Sequence, residues 1–576
     1  MQTPVRSSRD SPAGAGWRCR RVGNFRKLLP HGDRPFSWMN PLPLWRSRND
    51  TLARRLGDPV NDLRRGWVEH LPGRQYDFTV TDYAHRSEIS VALLGDTGEG
   101  DGSQYAVVPG LLTETGDCEF MFIVSDVVYP AGGIDEYEDK FYRPYKDYPG
   151  PVYAVPGNHD WYDDLTGFMF TFCGLRRPPP KSLFENPGSI SERVIRARLA
   201  RPQPEGVPGR HVEGENAASR DAGAREPDRG SQTGSKVAGP GPAWKRFARQ
   251  ILWRPAPEGH ENVIERMQGL RPEPRQRRQQ PGPYLAIEAG PVLLVGIDTG
   301  ITGGIDREQG EWLRRVSSAS PKPKILLTGK PLYVNGQHHP GAVEGGGTVD
   351  DIVRAPAHNY IAAIGGDIHN YQRYPVTLGD GRTIQYIVSG GGGAFMHDTH
   401  KIPNIDTSGL TGVGETGFRC YPLRGDSLSI FSRNYGRLFS FGRIGQWLGF
   451  GRLLVRFWFI PPDQAAAIMA ERLGLTPTRP SGRGVRVSWR SRLVASWLAP
   501  LPGQVHGPLQ PLYSELLDWN DPPMFKSFLR LDATADQATI TCFAATGCLD
   551  QEITPPVEDR VAAVRKPDGS WRWDGQ

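Results

Sequence analysis

Long apolar runs are scarce in this chain of 576 residues. The longest lies at 451–460, where Arg452 and Arg456 interrupt it and Pro461 follows it, so it does not predict a membrane-spanning helix. The first thirty residues are basic but have no continuous apolar core of the kind found in secretory signal peptides. We therefore expect a soluble protein in the cytoplasm.

Cysteine and excess charge of one sign are also scarce. The 6 cysteines are widely scattered, without a CxxC pair, which argues against a disulfide framework or a cysteine-ligated zinc site and favours reduced thiols. Lys and Arg number 69 against 63 Asp and Glu, a formal net charge of +6. A charge this small on so long a chain does not indicate binding to nucleic acid.

What is abundant is glycine and proline, 69 and 52 residues, so much of the chain should be loop. Residues 1–87 are predicted to be a basic, Pro- and Arg-rich arm, because they lack helical or strand periodicity. Hydrophobic residues make up 38% of the chain, enough for a core. We expect that core in a domain at 88–405, interrupted by a low-complexity insertion at about 175–283.

The rest of the chain divides into two predicted parts. Residues 406–520 are expected to form a basic aromatic insertion or subdomain, in which arginines at 433–458 alternate with Phe and Trp. That segment favours helices packed on the core, and peripheral contact with an anionic membrane is the alternative. Residues 521–576 are expected to supply strands that complete the main domain.

Short apolar runs that each end in Gly or Asp predict buried strands. These runs lie at 89–95, 120–126, 152–157, 292–298, 324–329, 360–366 and 384–390. A helix is predicted over 306–316, where apolar residues recur at helical spacing.

Four of the predicted strands are followed by residues of the kinds that bind metals. The four sequences are Gly95-Asp96-Thr97-Gly98, Ser125-Asp126-Val127-Val128-Tyr129, Gly157-Asn158-His159-Asp160 and Gly366-Asp367-Ile368-His369-Asn370. Side chains at the carboxyl ends of neighbouring strands converge in one crevice. Carboxylate, amide and imidazole donors suit hard divalent or trivalent ions, so the motifs predict a metal site.

The order and spacing of these motifs resemble the calcineurin-like metallophosphoesterases. The DxG and DxxY forms at Asp96 and Asp126 are similar to those of the purple acid phosphatase branch. The resemblance implies an α/β fold, a two-sheet α/β sandwich with helices outside. It also implies metal-dependent hydrolysis of phosphomonoesters or phosphodiesters by a metal-bound hydroxide. One or two ions per chain would be held, with Fe, Mn or Mg favoured and Zn as an alternative.

The resemblance also implies roles for single residues. A first metal would be held by Asp96, Asp126, Tyr129 and His369. Asp126 would bridge to a second ion, held partly by Asn158. His159 would stabilise or protonate the leaving oxygen, and Asp160 would tune that imidazole through a hydrogen bond. His397, after a glycine run, is a candidate for substrate binding at the pocket mouth.

Two positions depart from the family pattern, and both affect the second metal. Lys330 stands where a histidine ligand is expected, and Asp367 stands where the first His of GHxH is expected. A protonated lysine cannot donate a lone pair to a metal. Either Asp367 and other oxygen donors still hold an ion, or Lys330 takes its place and neutralises phosphate directly. His338 and His339, on the following loop, are minor candidates for the missing imidazole.

The rival interpretation is a phosphoesterase-fold protein that binds or regulates and has lost catalysis with its second metal site. Neither the substrate identity nor the oligomeric state follows from the sequence, because loops and insertions set selectivity in such enzymes.

Overall fold

The computed structural model describes residues 41–71, 77–176, 261–407, 412–439, 451–475, 484–501, 525–545 and 553–574, and the single residues 179, 252, 410 and 449.

The described strands, in chain order, are β1 (Thr79–Val80), β2 (Glu88–Leu94), β3 (Phe120–Val124), β4 (Val152–Val155), β5 (Leu285–Ala289), β6 (Val292–Ile297), β7 (Lys324–Thr328), β8 (Tyr333–Val334), β9 (Gln337–His338), β10 (Tyr360–Gly365), β11 (Tyr371–Thr377), β12 (Thr383–Ser389), β13 (Arg419–Tyr421), β14 (Lys526–Thr534), β15 (Gln537–Ala545), β16 (Val557–Arg565) and β17 (Trp571–Trp573). The described α-helices are α1 (Pro41–Arg46), α2 (Arg48–Leu56), α3 (Val60–His70), α4 (Gly102–Thr115), α5 (Thr166–Phe172), α6 (Glu261–Gln268), α7 (Arg307–Ala319), α8 (Val349–Arg354), α9 (Arg424–Phe439), α10 (Gly451–Trp458), α11 (Pro462–Arg472) and α12 (Trp489–Leu498).

These strands form two large sheets. Within the described ranges, one sheet has the strand order β1-β5-β6-β7-β10-β12-β11-β13 and the other the order β17-β16-β15-β14-β2-β3-β4, with β8-β9 as a separate hairpin. Strands β2, β3 and β4 are parallel, and so are β6, β7, β10 and β12. Each of the seven predicted strand runs overlaps one of these parallel strands to within one or two residues at each end.

Alternation along the strands explains how the two sheets pack. In β3, Phe120 and Phe122 belong to the core between the sheets, whereas Met121 and Ile123 face a second core that contains residues of the outer helices. Successive side chains of a strand point to opposite faces, so a run that is apolar throughout can be buried on both. The predicted two-sheet α/β sandwich is confirmed.

Part of the predicted N-terminal arm is folded. Helices α1 to α3 lie at residues 41–70, and Trp67 of α3 is fully buried with its indole N–H donated to the Asp164 carbonyl, at 2.7 Å. The buried positions Val60, Leu63, Arg64 and Trp67 have helical spacing, but a buried arginine hides that pattern in the sequence. Residues 1–40 of the arm lie outside the described ranges.

The end of the predicted insertion is also ordered. Arg271 is buried and donates to the carbonyls of Tyr145 and Gly150, both at 2.7 Å. The amide of Gln280 exchanges hydrogen bonds of 2.9 Å with both backbone groups of Ala154. Polar side chains of this segment form the hydrogen bonds that buried backbone groups of the core need. Residues 261–283 are therefore folded, although their composition suggests low complexity. Most of the remaining insertion lies outside the described residues.

The later segments join the same core. Strand β14 pairs antiparallel with β2, with Leu529 opposite Leu93. Helices α9, α11 and α12 contribute buried residues such as Phe431 and Val494 to the core between the sheets. None of the helices in the described ranges combines the length and apolar character needed to span a bilayer.

Candidate metal centre

The predicted ligands follow strand ends that meet at one edge of the sandwich. Asp96 follows β2, Asp126 follows β3, Asn158 follows β4 and Asp367 follows β10. Asp96 and Asp367 both have a left-handed backbone, with φ of 57° and 68°, a conformation that Asp tolerates better than most residues. The strand-to-loop turns therefore aim these carboxylates into the crevice.

Gly157 shows how tightly the turns approach each other. A Cβ atom at this position would lie 2.2 Å from Asp126 Oδ1 and 2.3 Å from the Asp126 backbone nitrogen. Only glycine can occupy the position without displacing Asp126, so a backbone turn fixes one of the predicted ligands.

Tyr129 lies at the centre of the first set of predicted ligands. Its hydroxyl is 3.1 Å from Asp126 Oδ2, 3.3 Å from Asp96 Oδ1 and 3.2 Å from His369 Nε2. All four side chains are buried. The structure thus brings together two carboxylates, a phenol and an imidazole from three separate stretches of the chain, those after β2, β3 and β10.

The imidazole of His369 is held in a defined orientation. Its Nδ1 lies 2.7 Å from the carbonyl oxygen of Phe395, which places the proton on Nδ1 and directs the Nε2 lone pair to the centre. The ring of His397 stacks on it, with centroids 4.3 Å apart. His397 is 2% exposed, and its Nδ1 accepts from the His369 backbone N–H at 3.2 Å. The expectation that His397 lies at the pocket mouth is therefore wrong, because the protein packs it behind a predicted ligand.

The burial of two neighbouring carboxylates in this set favours the binding of a cation. Burial, reinforced by the charges of Asp126 and Asp367, raises the pKa of Asp96 well above its ordinary value. Burial also raises the pKa of Asp126. Burial and the neighbouring His397 hold the pKa of His369 well below its ordinary value, so its ring is neutral. Asp96 Oδ2 is buried and accepts no hydrogen bond of normal geometry within the described residues.

The residues of this first set fit a metal ion. Counted by themselves, the His, Cys, Asp and Glu side chains of the described ranges form no group of three or more that could hold one. The phenol of Tyr129 completes the set, because it stands between Asp96, Asp126 and His369. Such a mixture of oxygen donors and one imidazole suits a hard metal cation.

The residues of the predicted second metal position do not fit an ion in the same way. The ammonium of Lys330 forms a close ion pair with Asp367 Oδ1, and it lies 3.5 Å from Asn158 Oδ1. Burial would raise the pKa of Asp367, but the charge of Lys330 holds it below its ordinary value. A cation therefore already stands between the oxygen atoms that a second metal would need.

His159 lies beside the first set, but its partner differs from the predicted one. Its backbone N–H donates to Asp126 Oδ1 at 2.7 Å, and its Nδ1 lies 2.8 Å from the Pro130 carbonyl. Asp160 instead accepts the backbone N–H groups of Val127 and Gly157, both at 3.0 Å, on Oδ2. The predicted Asp160–His159 hydrogen bond is thus replaced by a role in which Asp160 ties the two ligand turns together.

Asp160 also interacts with its surroundings electrostatically. Burial, with the nearby charge of Asp126, raises the pKa of Asp160 to about 8. Its other oxygen, Oδ1, lies 3.3 Å from the hydroxyl of Tyr137.

The comparisons with known proteins agree with this geometry over part of the chain. Residues 89–196 match the calcineurin-like phosphoesterase family. The match includes the turns with Asp96, Asp126 and Asn158 and confirms the resemblance inferred from the motifs. Lys330 and His369 lie beyond it. Phosphoesterases of this family generally use divalent metal ions.

Solved structures show only a weak likeness. A purple acid phosphatase, PPD1 from yellow lupin seeds, has a TM-score of 0.34 and 11% identity over 84% of this chain, and the chain spans 55% of its length. GAP50, the anchor in the inner membrane complex of Plasmodium, has a TM-score of 0.29 and 11% identity, with 58% of this chain and 81% of that one covered. PhoD has a TM-score of 0.33 and 8% identity, with 86% and 73% covered. Scores this low support no inference about function. No curated protein is significantly similar to the chain in sequence.

The two other histidine candidates for the second metal position, His338 and His339, lie in different surroundings. His338 Nε2 lies 2.7 Å from Asp350 Oδ2, and its ring stacks on Tyr333. His339, although its side chain is largely exposed, interacts electrostatically with Lys330 and Asp367. Of the two candidates, the structure therefore leaves only His339 near the second position.

Helix α2 contributes to the candidate metal site, although the sequence did not predict it. The side chain of Asn49 donates to the Tyr162 carbonyl at 2.9 Å, and the Tyr162 hydroxyl accepts from Asn158 Nδ2 at 2.7 Å. Arg54 on the same helix pairs with Asp50 at 3.0 Å and helps to hold the pKa of Asp367 down. No motif marks these residues, because their role depends on where the N-terminal helix docks.

Proposed function

We propose that this protein is a metal-dependent phosphoric ester hydrolase that acts on phosphomonoesters or phosphodiesters. The observation that carries the proposal is the convergence of Asp96, Asp126 and His369 on the hydroxyl of Tyr129. The family match over residues 89–196 supports the phosphoesterase part of the proposal. Iron, manganese or magnesium would be the preferred ion, because two carboxylates and a phenol favour hard cations.

The four side chains would hold one ion, which would act as a Lewis acid and lower the pKa of a water molecule. The protein's own groups would then position the substrate. His159 donates from Nδ1 to the Pro130 carbonyl, which orients the ring so that Nε2 would be the nitrogen that meets the leaving oxygen. Asp160 keeps the His159 turn against the Asp126 turn through the two backbone amides that it accepts.

The direct test combines metal analysis with hydrolysis. Purified protein would be analysed for bound metal and assayed with p-nitrophenyl phosphate and bis-p-nitrophenyl phosphate in the presence of Mn²⁺. We expect Asp126→Asn to lose both metal and activity, because one carboxylate contacts the Tyr129 hydroxyl and the His159 amide. Asp135→Asn is the matched control, since Asp135 is exposed on the short 3-10 helix Ile134–Glu136 that follows in the chain. Protein that carries no metal under any loading condition would refute the proposal.

The second candidate is a binding or regulatory protein that has kept the fold without catalysis. The pair of Lys330 and Asp367 favours it, because this pair occupies the predicted second metal position. Bound metal without hydrolysis of either test substrate, or of a wider panel of phosphate esters, would favour this candidate.

We also propose a cytoplasmic protein that touches an anionic membrane through its basic aromatic helices. The segment at 433–458 supplies Leu453, 70% exposed, and α12 supplies Trp489, 74% exposed. Arg456 is exposed on α10 beside Leu453, as expected for a surface that meets anionic lipid headgroups. Large exposed apolar side chains next to arginines are the feature that supports this location.

A further inference from the structure

We propose that Lys330 takes the place of a second metal ion, so that the protein binds one metal per chain and uses the lysine ammonium to bind the substrate phosphate. The inference rests on the proposed function, because it assigns the second half of the same site. It replaces the expectation of two ions with a centre made of one ion and one fixed organic cation.

The position of the ammonium group is defined by two oxygen atoms. Nζ of Lys330 forms its ion pair with Asp367 and lies 3.5 Å from Asn158 Oδ1. The orientation of the Asn158 amide is fixed as well, since its Nδ2 donates to the Tyr162 hydroxyl at 2.7 Å. Two of the groups that would bind a second metal, Asn158 and Asp367, thus both face the lysine.

The backbone of Lys330 is held as firmly as its side chain. Its N–H donates to Thr299 Oγ1 at 3.0 Å, and its carbonyl accepts from Thr328 Oγ1 at 3.1 Å. A Cβ atom on Gly303 would lie 3.2 Å from the lysine Cδ, so the aliphatic stem passes close to that loop. These contacts hold both the backbone and the aliphatic stem of Lys330, so the position of its ammonium group beside Asp367 and Asn158 is set by the fold.

A fixed ammonium at this position has two consequences. It repels a second metal cation and leaves Asp367 neutralised, so a second ion would gain little from binding. It also remains reachable, because the side chains of Lys330 and Asp367 are 20% and 25% exposed. An ammonium with three N–H donors can pair with Asp367 and still donate to a phosphate oxygen.

Helix α2 places a positive charge in the surroundings of Asp367. Arg54 of helix α2 has a side chain that is 55% exposed and interacts electrostatically with Asp367. Helix α2 is anchored at this place by Asn49, whose side chain donates to the Tyr162 carbonyl. Phosphate oxygens would thus meet one metal ion and one lysine, while Arg54, paired with Asp50, contributes only to the surrounding electrostatic field.

Metal stoichiometry tests the first half of the inference. Metal-stripped full-length protein would be titrated with Mn²⁺ by calorimetry and analysed by plasma mass spectrometry. We expect one ion per wild-type chain, and two in the Lys330→His, Asp367→His double variant, which restores two imidazoles. Two ions in the wild-type chain, or no second ion in a folded double variant, would overturn the inference and leave the proposed function standing. No ion in the wild-type chain would instead overturn the proposed function itself.

Inorganic phosphate is the probe for the second half. With Mn²⁺ present, Lys330→Met should weaken phosphate binding by roughly ten- to a hundredfold, the size expected for one charge-assisted hydrogen bond. Lys330→Arg should recover much of that affinity, and its folding can be checked independently of Lys330→Met. Lys322→Met is the matched control, since Lys322 precedes the first residue of β7, whereas Lys330 follows the last one. Lys322 pairs with Glu288 at 3.5 Å. Equal phosphate affinity in Lys330→Met and the wild type would overturn the role of the lysine.

Discussion

Replacement of Arg64 by methionine should destabilise the protein strongly. The guanidinium is buried, with Nε 2.7 Å from Asp298 Oδ2 and one terminal nitrogen 2.7 Å from Asp306 Oδ2. At an effective dielectric constant of 20, each pair at about 4 Å between charge centres contributes about 4 kcal/mol of attraction. Removal of one partner also leaves buried carboxylates without a counterion, which typically costs about 3–5 kcal/mol. We therefore expect the free energy of unfolding to fall by about 3–5 kcal/mol.

The effect of Arg64→Met should extend to the metal centre. Asp298 Oδ1 accepts the indole N–H of Trp161 at 3.0 Å, and Trp161 follows the turn that carries Asn158 and His159. Loss of the arginine lets Asp298 shift, so metal retention in the variant should fall together with stability.

Urea unfolding followed by tryptophan fluorescence measures the change in Arg64→Met. Arg65→Met is the control on the same helix. Its ion-pair partners are 31% to 43% exposed, so its loss should cost only about 1 kcal/mol. If Arg64→Met costs less than about 1 kcal/mol, or no more than the control, then helix α3 is not anchored through a buried ion triad and the reasoning fails.

Three further predictions concern pH, backbone space and the helical surface. Burial, with the charges of Lys401 and Arg472 nearby, lowers the pKa of His400 in the folded protein to about 3. The pKa of histidine in an unfolded chain is about 6.5, so below that pH the unfolded chain binds a proton that the folded protein does not bind. Wild-type stability relative to His400→Gln should then fall by up to about 3 kcal/mol between pH 6.5 and 4, and a constant difference in urea unfolding across that range would contradict this. Gly157→Ala should displace the neighbouring Asp126 carboxylate and lower bound metal in elemental analysis, and full occupancy would show that the turn can relax. Wild-type protein should sediment with anionic vesicles at low salt and Trp489→Ser should do so more weakly, whereas equal sedimentation of both would exclude this surface as the contact.

The sequence by itself determined the strands and the order of the ligand motifs. Apolar runs such as 120–126 predict strands because a strand buried on both faces needs apolar side chains at every position. Asp96, Asp126 and His369 could be chosen because each ends such a run or follows it by one to three residues. These features depend only on residues that are close together in the chain, so they can be predicted from the sequence.

Only the tertiary structure decided which partners these residues have. Three examples are the pairing of Lys330 with Asp367, the hydrogen bonds from two backbone amides to Asp160 and the burial of His397. Each depends on contacts between segments that are far apart in the sequence, or on a side-chain direction that the sequence does not give. The same holds for Arg64, which belongs to the predicted N-terminal arm but is paired in the structure with two carboxylates from another part of the chain. Burial and charge compensation depend on what packs against a residue, and that information exists only after the chain has folded.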